Sequence, residues 1–112
     1  MERETMDERR RHKRLNISLP VILRYRGRII PATALNISCG GMFIRAEQPS
    51  LKGDGPVEVI FDLTEGEKDV SMRGNITRTE DSTGHTDLGV QFTNLFSMAH
   101  KAIERHLRNN LN

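Results

Sequence analysis

Tryptophan is absent from this chain, tyrosine occurs once and phenylalanine four times. So sparse a set (Tyr25, Phe43, Phe61, Phe92 and Phe96) does not furnish a broad stacking platform for single-stranded nucleic acid. Cysteine also occurs once, as Cys39, which excludes an intramolecular disulfide. Cys39 has no evident base partner, so it reads as a small turn residue and not as a nucleophile. No apolar run approaches the length of a membrane-spanning helix. The N-terminus is charged from Glu2 onward and lacks the apolar stretch of a signal peptide. A cytoplasmic protein without membrane insertion is the expectation. His12, His85, His100 and His106 are scattered, without the spacing of a metal-ligand set. With no catalytic pair in sight, neither an enzyme nor a metal or cofactor site is expected.

What is present is an uneven distribution of charge. The 112 residues carry a net charge of +2, but residues 1–28 hold nine basic and four acidic residues, a local charge of +5. The remaining residues are mildly acidic, with eight basic and eleven acidic side chains. A basic entrance on an acidic body suggests an anionic partner at one end. It argues against a nonspecific nucleic-acid binder, whose affinity would collapse with salt.

The length suits one domain with a modest core. Residues 1–14 are almost free of apolar side chains and read as a flexible basic arm. From Ile17 to Tyr25, apolar residues alternate with mostly polar ones, the period of a half-buried strand. Arg26-Gly27 signals a turn, and residues 28–37 complete a hairpin, with Pro31 expected at an edge position or a bulge. Gly40-Gly41 turns the chain into a third short strand that ends near Pro49. A loop is expected from Ser50 to Pro56. Alternating positions from Val57 to Leu63 give a fourth strand, and Thr64 to Lys68 a hairpin turn. Val70, Met72, Gly74 and Ile76 mark a fifth strand. Glu80 to Gly84 reads as a turn, and Leu88, Val90 and Phe92 as a sixth strand.

The period then changes to helical. Leu95, Met98, Ala99, Ala102, Ile103, Leu107 and Leu111 form one apolar stripe, with Asn94 or Ser97 as the cap. The helix is expected over about residues 97–109. Met42, Met72 and Met98 read as core fillers. Six short strands followed by one helix indicate a small antiparallel barrel or sandwich.

Two motifs carry chemistry. Arg9-Arg10-Arg11-His12-Lys13-Arg14 is a basic knot that runs directly into the first strand. Arginine dominates it, and arginine grips phosphate bidentately and stacks on planar rings. Its fork also matches the O6 and N7 acceptors of guanine, an edge at which adenine presents a donor. Asn36-Ile37-Ser38-Cys39-Gly40-Gly41 is a polar turn after the second strand. If strand geometry persists, Asn36 and Ser38 project to one face, and the two glycines allow left-handed dihedrals and close backbone approach. Taken singly, the first motif is also compatible with a solvated charge run, and the second with a plain hairpin turn. Together they suggest a grip on a phosphorylated guanine ligand. Arg78 is a further candidate if it faces the same opening.

The two motifs resemble those of PilZ domains, bacterial receptors for the second messenger cyclic di-GMP. Arg10 and Arg14 match that family's RxxxR, Arg9 extends it to RRxxxR, and Asn36, Ser38 and Gly41 match its [D/N]xSxxG. Leu88-Gly89-Val90-Gln91-Phe92 is similar to its last barrel strand, and the resemblance spans residues 8–108. It implies a six-stranded antiparallel β-barrel over residues 15–112 with a C-terminal helix. It implies that Arg10 and Arg14 hold guanine and phosphate groups, with Arg11 alongside. Asn36 and Ser38 would contact a guanine, beside Gly40, and Gly41 would leave room for it. Arg9 favours binding of two mutually stacked dinucleotides. The function implied is a cyclic di-GMP receptor whose arm orders on binding and which signals to a partner protein in trans. The alternative is a ligand-independent adaptor acting through protein contacts.

Overall fold

The alternating pattern builds six strands, and in the computed structural model, which describes residues 13–47 and 53–111, they close into a barrel. The expectations for residues 1–12, among them Arg9, Arg10, Arg11 and the flexible arm, lie outside the described residues. So do Pro49, near which the third strand is expected to end, and Ser50, Leu51 and Lys52 of the expected loop. The strands are β1 (Leu15–Tyr25), β2 (Arg28–Ile37), β3 (Gly41–Ala46), β4 (Gly55–Phe61), β5 (Val70–Ser82) and β6 (His85–Phe92). They are followed by helix α1 (Met98–Asn110). The order around the barrel is β1-β2-β3-β6-β5-β4, every pair is antiparallel, and β4 returns to β1. Closure leaves no open sheet edge, which decides for the barrel over the sandwich.

The hairpin between β1 and β2 follows from two residues. Arg26 and Gly27 both have positive φ, 52° and 76°, the geometry of a tight turn whose twist matches the strands it joins. Counting back from that turn along the β1–β2 ladder, Pro31 opposite Ile22 falls at a position without ladder bonds to β1. Its nitrogen faces β3, whose pairing with β2 begins only at Ala32. The edge position expected for this proline is therefore found.

Several boundaries differ from expectation: β3 ends at Ala46, short of Pro49, and β4 at Phe61, short of Leu63. The loop expected through Pro56 ends sooner, because β4 begins at Gly55. Pro56 pairs with Asn75 of β5, but the pairing of β4 with β1 begins at Glu58, so no partner there needs its missing N–H. The polar stretch from Glu80 is also mostly strand. Glu80, Asp81 and Ser82 pair with Asp87, Thr86 and His85, which leaves Thr83-Gly84 as the turn. Ladder pairing here outweighs a composition that reads as loop.

Leu23, Ile30, Ile37, Ile44, Met72 and Leu88 are fully buried inside the barrel. Each contributes on the order of 1.5–3 kcal/mol through removal of apolar surface from water. Helix α1 starts at Ser97, whose hydroxyl accepts from the His100 N–H. Ala102, Ile103 and Leu107 join the same core. The stripe is not the one expected, however. Met98 is 80% exposed and Leu95 42% exposed. On an ideal helix Met98 lies about 180° around from Leu107, so both cannot face the barrel. His100, three residues before Ile103 and seven before Leu107, takes that place and is 5% exposed.

At the far end of the β3–β6 seam, Arg45 and Asp87 face each other across the ladder. Arg45 Nε donates to Asp87 Oδ1 at 2.8 Å and its Nη2 to Oδ2 at 3.2 Å. This fork holds the Asp87 carboxyl below the usual carboxylate range, more than burial raises it. A carboxylate with a lowered folded pKa stabilises in full above its unfolded value near ~4, and the stabilisation is lost as pH falls through the folded value. Urea midpoints measured from pH 6 down to pH 2 are expected to fall less steeply in Arg45→Ala than in the parent chain. Equal acid limbs would mean that the pair does not couple to folding.

Candidate ligand-binding site

Three breaks in strand register shape one outer face of the barrel. One extra residue interrupts β1 between Asn16 and Leu19, β2 between Ala34 and Asn36, and β5 between Ile76 and Arg78. In β1 every second residue stays the more buried one across the break, whereas in β2 and β5 the inserted residue reverses which face the following side chains take. Ala34 and Ile76 point into the core, yet Asn36 and Arg78, two positions on, belong to the outer face. Asn36 is opposite Phe43, Phe43 opposite Gly89, and Gly89 opposite Arg78, so these four form one row across β2, β3, β6 and β5. Without the insertion at Thr77, strand parity would send the Arg78 guanidinium into the barrel.

The polar turn stands at one end of this row. Ser38 is 6% exposed, and its hydroxyl accepts from the N–H groups of Gly40 at 3.1 Å and Gly41 at 3.2 Å. The same hydroxyl donates to the Gly41 carbonyl at 3.4 Å, and the Ser38 N–H bonds that carbonyl at 2.9 Å. Both hydroxyl lone pairs are thereby occupied, so in this arrangement Ser38 holds the turn and has no acceptor left for a ligand. The Gly40 carbonyl accepts from the Phe92 N–H at 2.9 Å, which fastens the turn to the end of β6.

Gly41 has its own reason. A Cβ there would sit 2.0 Å from the carbonyl oxygen of Val90 and 3.1 Å from its carbon. Gly74 is pressed against the same strand from the other side, its would-be Cβ 2.4 Å from the Gln91 carbonyl oxygen. Neither Gly40 nor Gly41 is among the residues with positive φ. What Gly41 supplies is close approach of backbones, not a left-handed conformation.

Row and turn enclose a concavity of about 460 Å³, within the range usual for small-molecule sites. Of the residues singled out in the sequence, Arg14, Asn36, Ser38, Gly40, Gly41 and Arg78 all line it. Arg9, Arg10 and Arg11 lie outside the described residues. Phe43, Thr77, Gly89 and Gln91 also line it and were not anticipated. Their signal is the register: each follows from pairing partners, which a single strand's composition does not reveal. No carboxylate lines the concavity among the described residues, and neither Arg14 nor Arg78 is ion-paired to another described residue. The result is a positively charged recess with amide, backbone and ring surfaces, a combination suited to a planar, phosphorylated ligand. Cys39, beside it, is half-buried. Burial, and then the charge of Glu104, push its thiol up against a smaller opposing effect of Arg108.

Barrel, bulges and cationic recess together define a small six-stranded β-barrel with one helix packed on it. A family model described as the PilZ domain matches residues 8–109, and the chain belongs to that family. The same fold occurs in the Bacillus subtilis inhibitor of motility MotI/DgrA, with 20% identity and a TM-score of 0.69. That match covers 93% of this chain and 52% of MotI/DgrA. It occurs also in the Borreliella burgdorferi protein PlzA, solved in complex with c-di-GMP, with 10% identity and a TM-score of 0.53. Here 97% of this chain and 58% of PlzA are covered. The chain thus spans little more than half the length of either protein, and at these identities the likeness is one of fold. No curated protein sequence matches the chain. Among the described residues, no helix is long and apolar enough to cross a membrane.

Proposed function

We propose that this chain is a receptor for cyclic di-GMP, which it binds in the recess between Arg14, the Asn36–Gly41 turn and Arg78. The observation that carries this reading is the convergence of two arginines and the polar turn on one concavity that, among the described residues, no carboxylate lines. Membership of the PilZ domain family supports it, as does the c-di-GMP bound to PlzA, a protein of the same fold. The chemistry is direct. Guanidinium groups of Arg10 and Arg14 pair with phosphate and with the O6 and N7 edge of guanine, and stack on its face. Asn36 offers an amide to a guanine edge, and Ser38 keeps the turn in shape. Arg9 and Arg11 add charge on the arm, and Arg9 favours two stacked dinucleotides.

Ligand binding draws the basic arm of residues 1–14 across the recess, because two phosphates offset the mutual repulsion of its arginines. The arm and the ligand's outer face then present a surface to a partner protein. Calorimetric titration with cyclic di-GMP, and with GTP and cyclic di-AMP as controls, tests the reading. Saturable binding of cyclic di-GMP alone is expected. Equal heats from all three, or none from any, would refute the receptor and turn the reading toward a ligand-independent adaptor.

A further inference from the structure

His100 is a buried side chain of α1 that hydrogen-bonds the polar turn. Its Nε2 lies 2.7 Å from the Cys39 carbonyl oxygen. A carbonyl only accepts, so Nε2 carries the hydrogen and donates. In the neutral imidazole that leaves Nδ1 as a bare acceptor, and it is buried without a hydrogen-bond partner among the described residues. The nearest charge to it is the half-exposed Glu104 carboxylate at 3.9 Å. The ring is fixed edge-on against Phe92, with centroids 6.5 Å apart and planes at 80°.

An orphaned Nδ1 is unfavourable, and a leucine at this position of the stripe would avoid it. What leucine cannot do is donate to Cys39. The carbonyls of three consecutive turn residues are all held: His100 donates to Cys39, the Phe92 N–H to Gly40, and the N–H and hydroxyl of Ser38 to Gly41. Only the first donor comes from the helix. We infer that His100 is a positioning residue for the recess: its Nε2–H, delivered from α1, holds the Cys39 carbonyl and with it the turn, closed by the Gly40 and Gly41 N–H bonds to Ser38 Oγ, in the shape that lines the recess. The inference deepens the cyclic di-GMP reading, and its effect on affinity rests on that reading.

The test uses His100→Leu and His100→Gln in the full chain, because the glutamine Nε2 can replace the imidazole donor. Loss of one buried hydrogen bond at the turn is expected to weaken cyclic di-GMP binding about tenfold in His100→Leu. His100→Gln is expected to recover most of that loss. Unchanged affinity in a folded His100→Leu, or equal loss in both variants, would overturn the inference. Amide exchange at Gly40 and Gly41 is measured without ligand. It should quicken in His100→Leu and return toward the parent rate in His100→Gln, while core amides of β3 and β6 keep theirs. This readout separates failure of the positioning role from failure of the ligand reading. Should His100→Leu not fold, the imidazole nitrogen shifts of the parent chain decide. An Nε2–H tautomer whose shifts move on saturation with cyclic di-GMP is expected. An Nδ1–H tautomer, or shifts indifferent to ligand, would overturn it.

Discussion

Gly41→Ala is expected to destabilise the barrel by about 3 kcal/mol or more, read as a lowered urea midpoint. The added methyl would stand 2.0 Å from the Val90 carbonyl oxygen, and that atom belongs to backbone that cannot rotate away. β3 and β6 would have to part where Gly41 pairs with Gln91. Parting them also disturbs the Gly41 N–H bond to Ser38 Oγ and the Gly41 carbonyl bond to the Ser38 N–H. The resemblance to PilZ domains implied that this glycine leaves room for a guanine. The approach of β6 already accounts for it. An alanine variant as stable as the parent, but unable to bind cyclic di-GMP, would restore room for the ligand as the reason.

Arg14→Ala is expected to have the opposite profile. Arg14 is exposed and precedes β1, so its removal should leave stability within about 0.5 kcal/mol of the parent. Binding should suffer far more. A hydrogen bond to a charged group contributes roughly 1.5–3 kcal/mol, equivalent to a loss of affinity of about 10- to 100-fold. Arg14→Lys should not restore it, because an ammonium lacks the planar fork. Calorimetry on both variants checks this, and full recovery by lysine would mean that Arg14 contributes charge alone. The two variants are expected to separate a residue that holds the fold from one proposed to hold the ligand.

Much of the barrel could be read from periodicity. Leu15 to Tyr25 alternates so regularly that every second residue is the more buried one. Arg26-Gly27 announced the turn it makes, and Ser97 the cap it supplies. The bulges could not be read in this way. Leu35 and Thr77 carry no mark that they are extra residues. Their insertion shows only when β2 and β5 are laid against their neighbours, and it is what turns Asn36 and Arg78 outward. Phe43 and Gly89 enter the site by the same registers, one residue from each of two strands. Helix α1 misled for a related reason. Hydropathy selected Met98 and passed over His100, whereas burial follows the angle at which the helix meets the barrel. The imidazole is tolerated there because the Cys39 carbonyl takes its proton-bearing nitrogen.

The most direct measurement is a map of backbone amide shifts during titration with cyclic di-GMP. The account predicts that perturbed amides gather at Asn36 to Gly41, Phe43, Thr77, Arg78, Gly89 and Gln91, the lining of the recess. It also predicts that Arg24, Glu58 and Arg73, around a smaller concavity of about 350 Å³, stay unchanged. Perturbation centred on that second concavity, or none at saturating ligand, would contradict the claim that this recess is the receptor site.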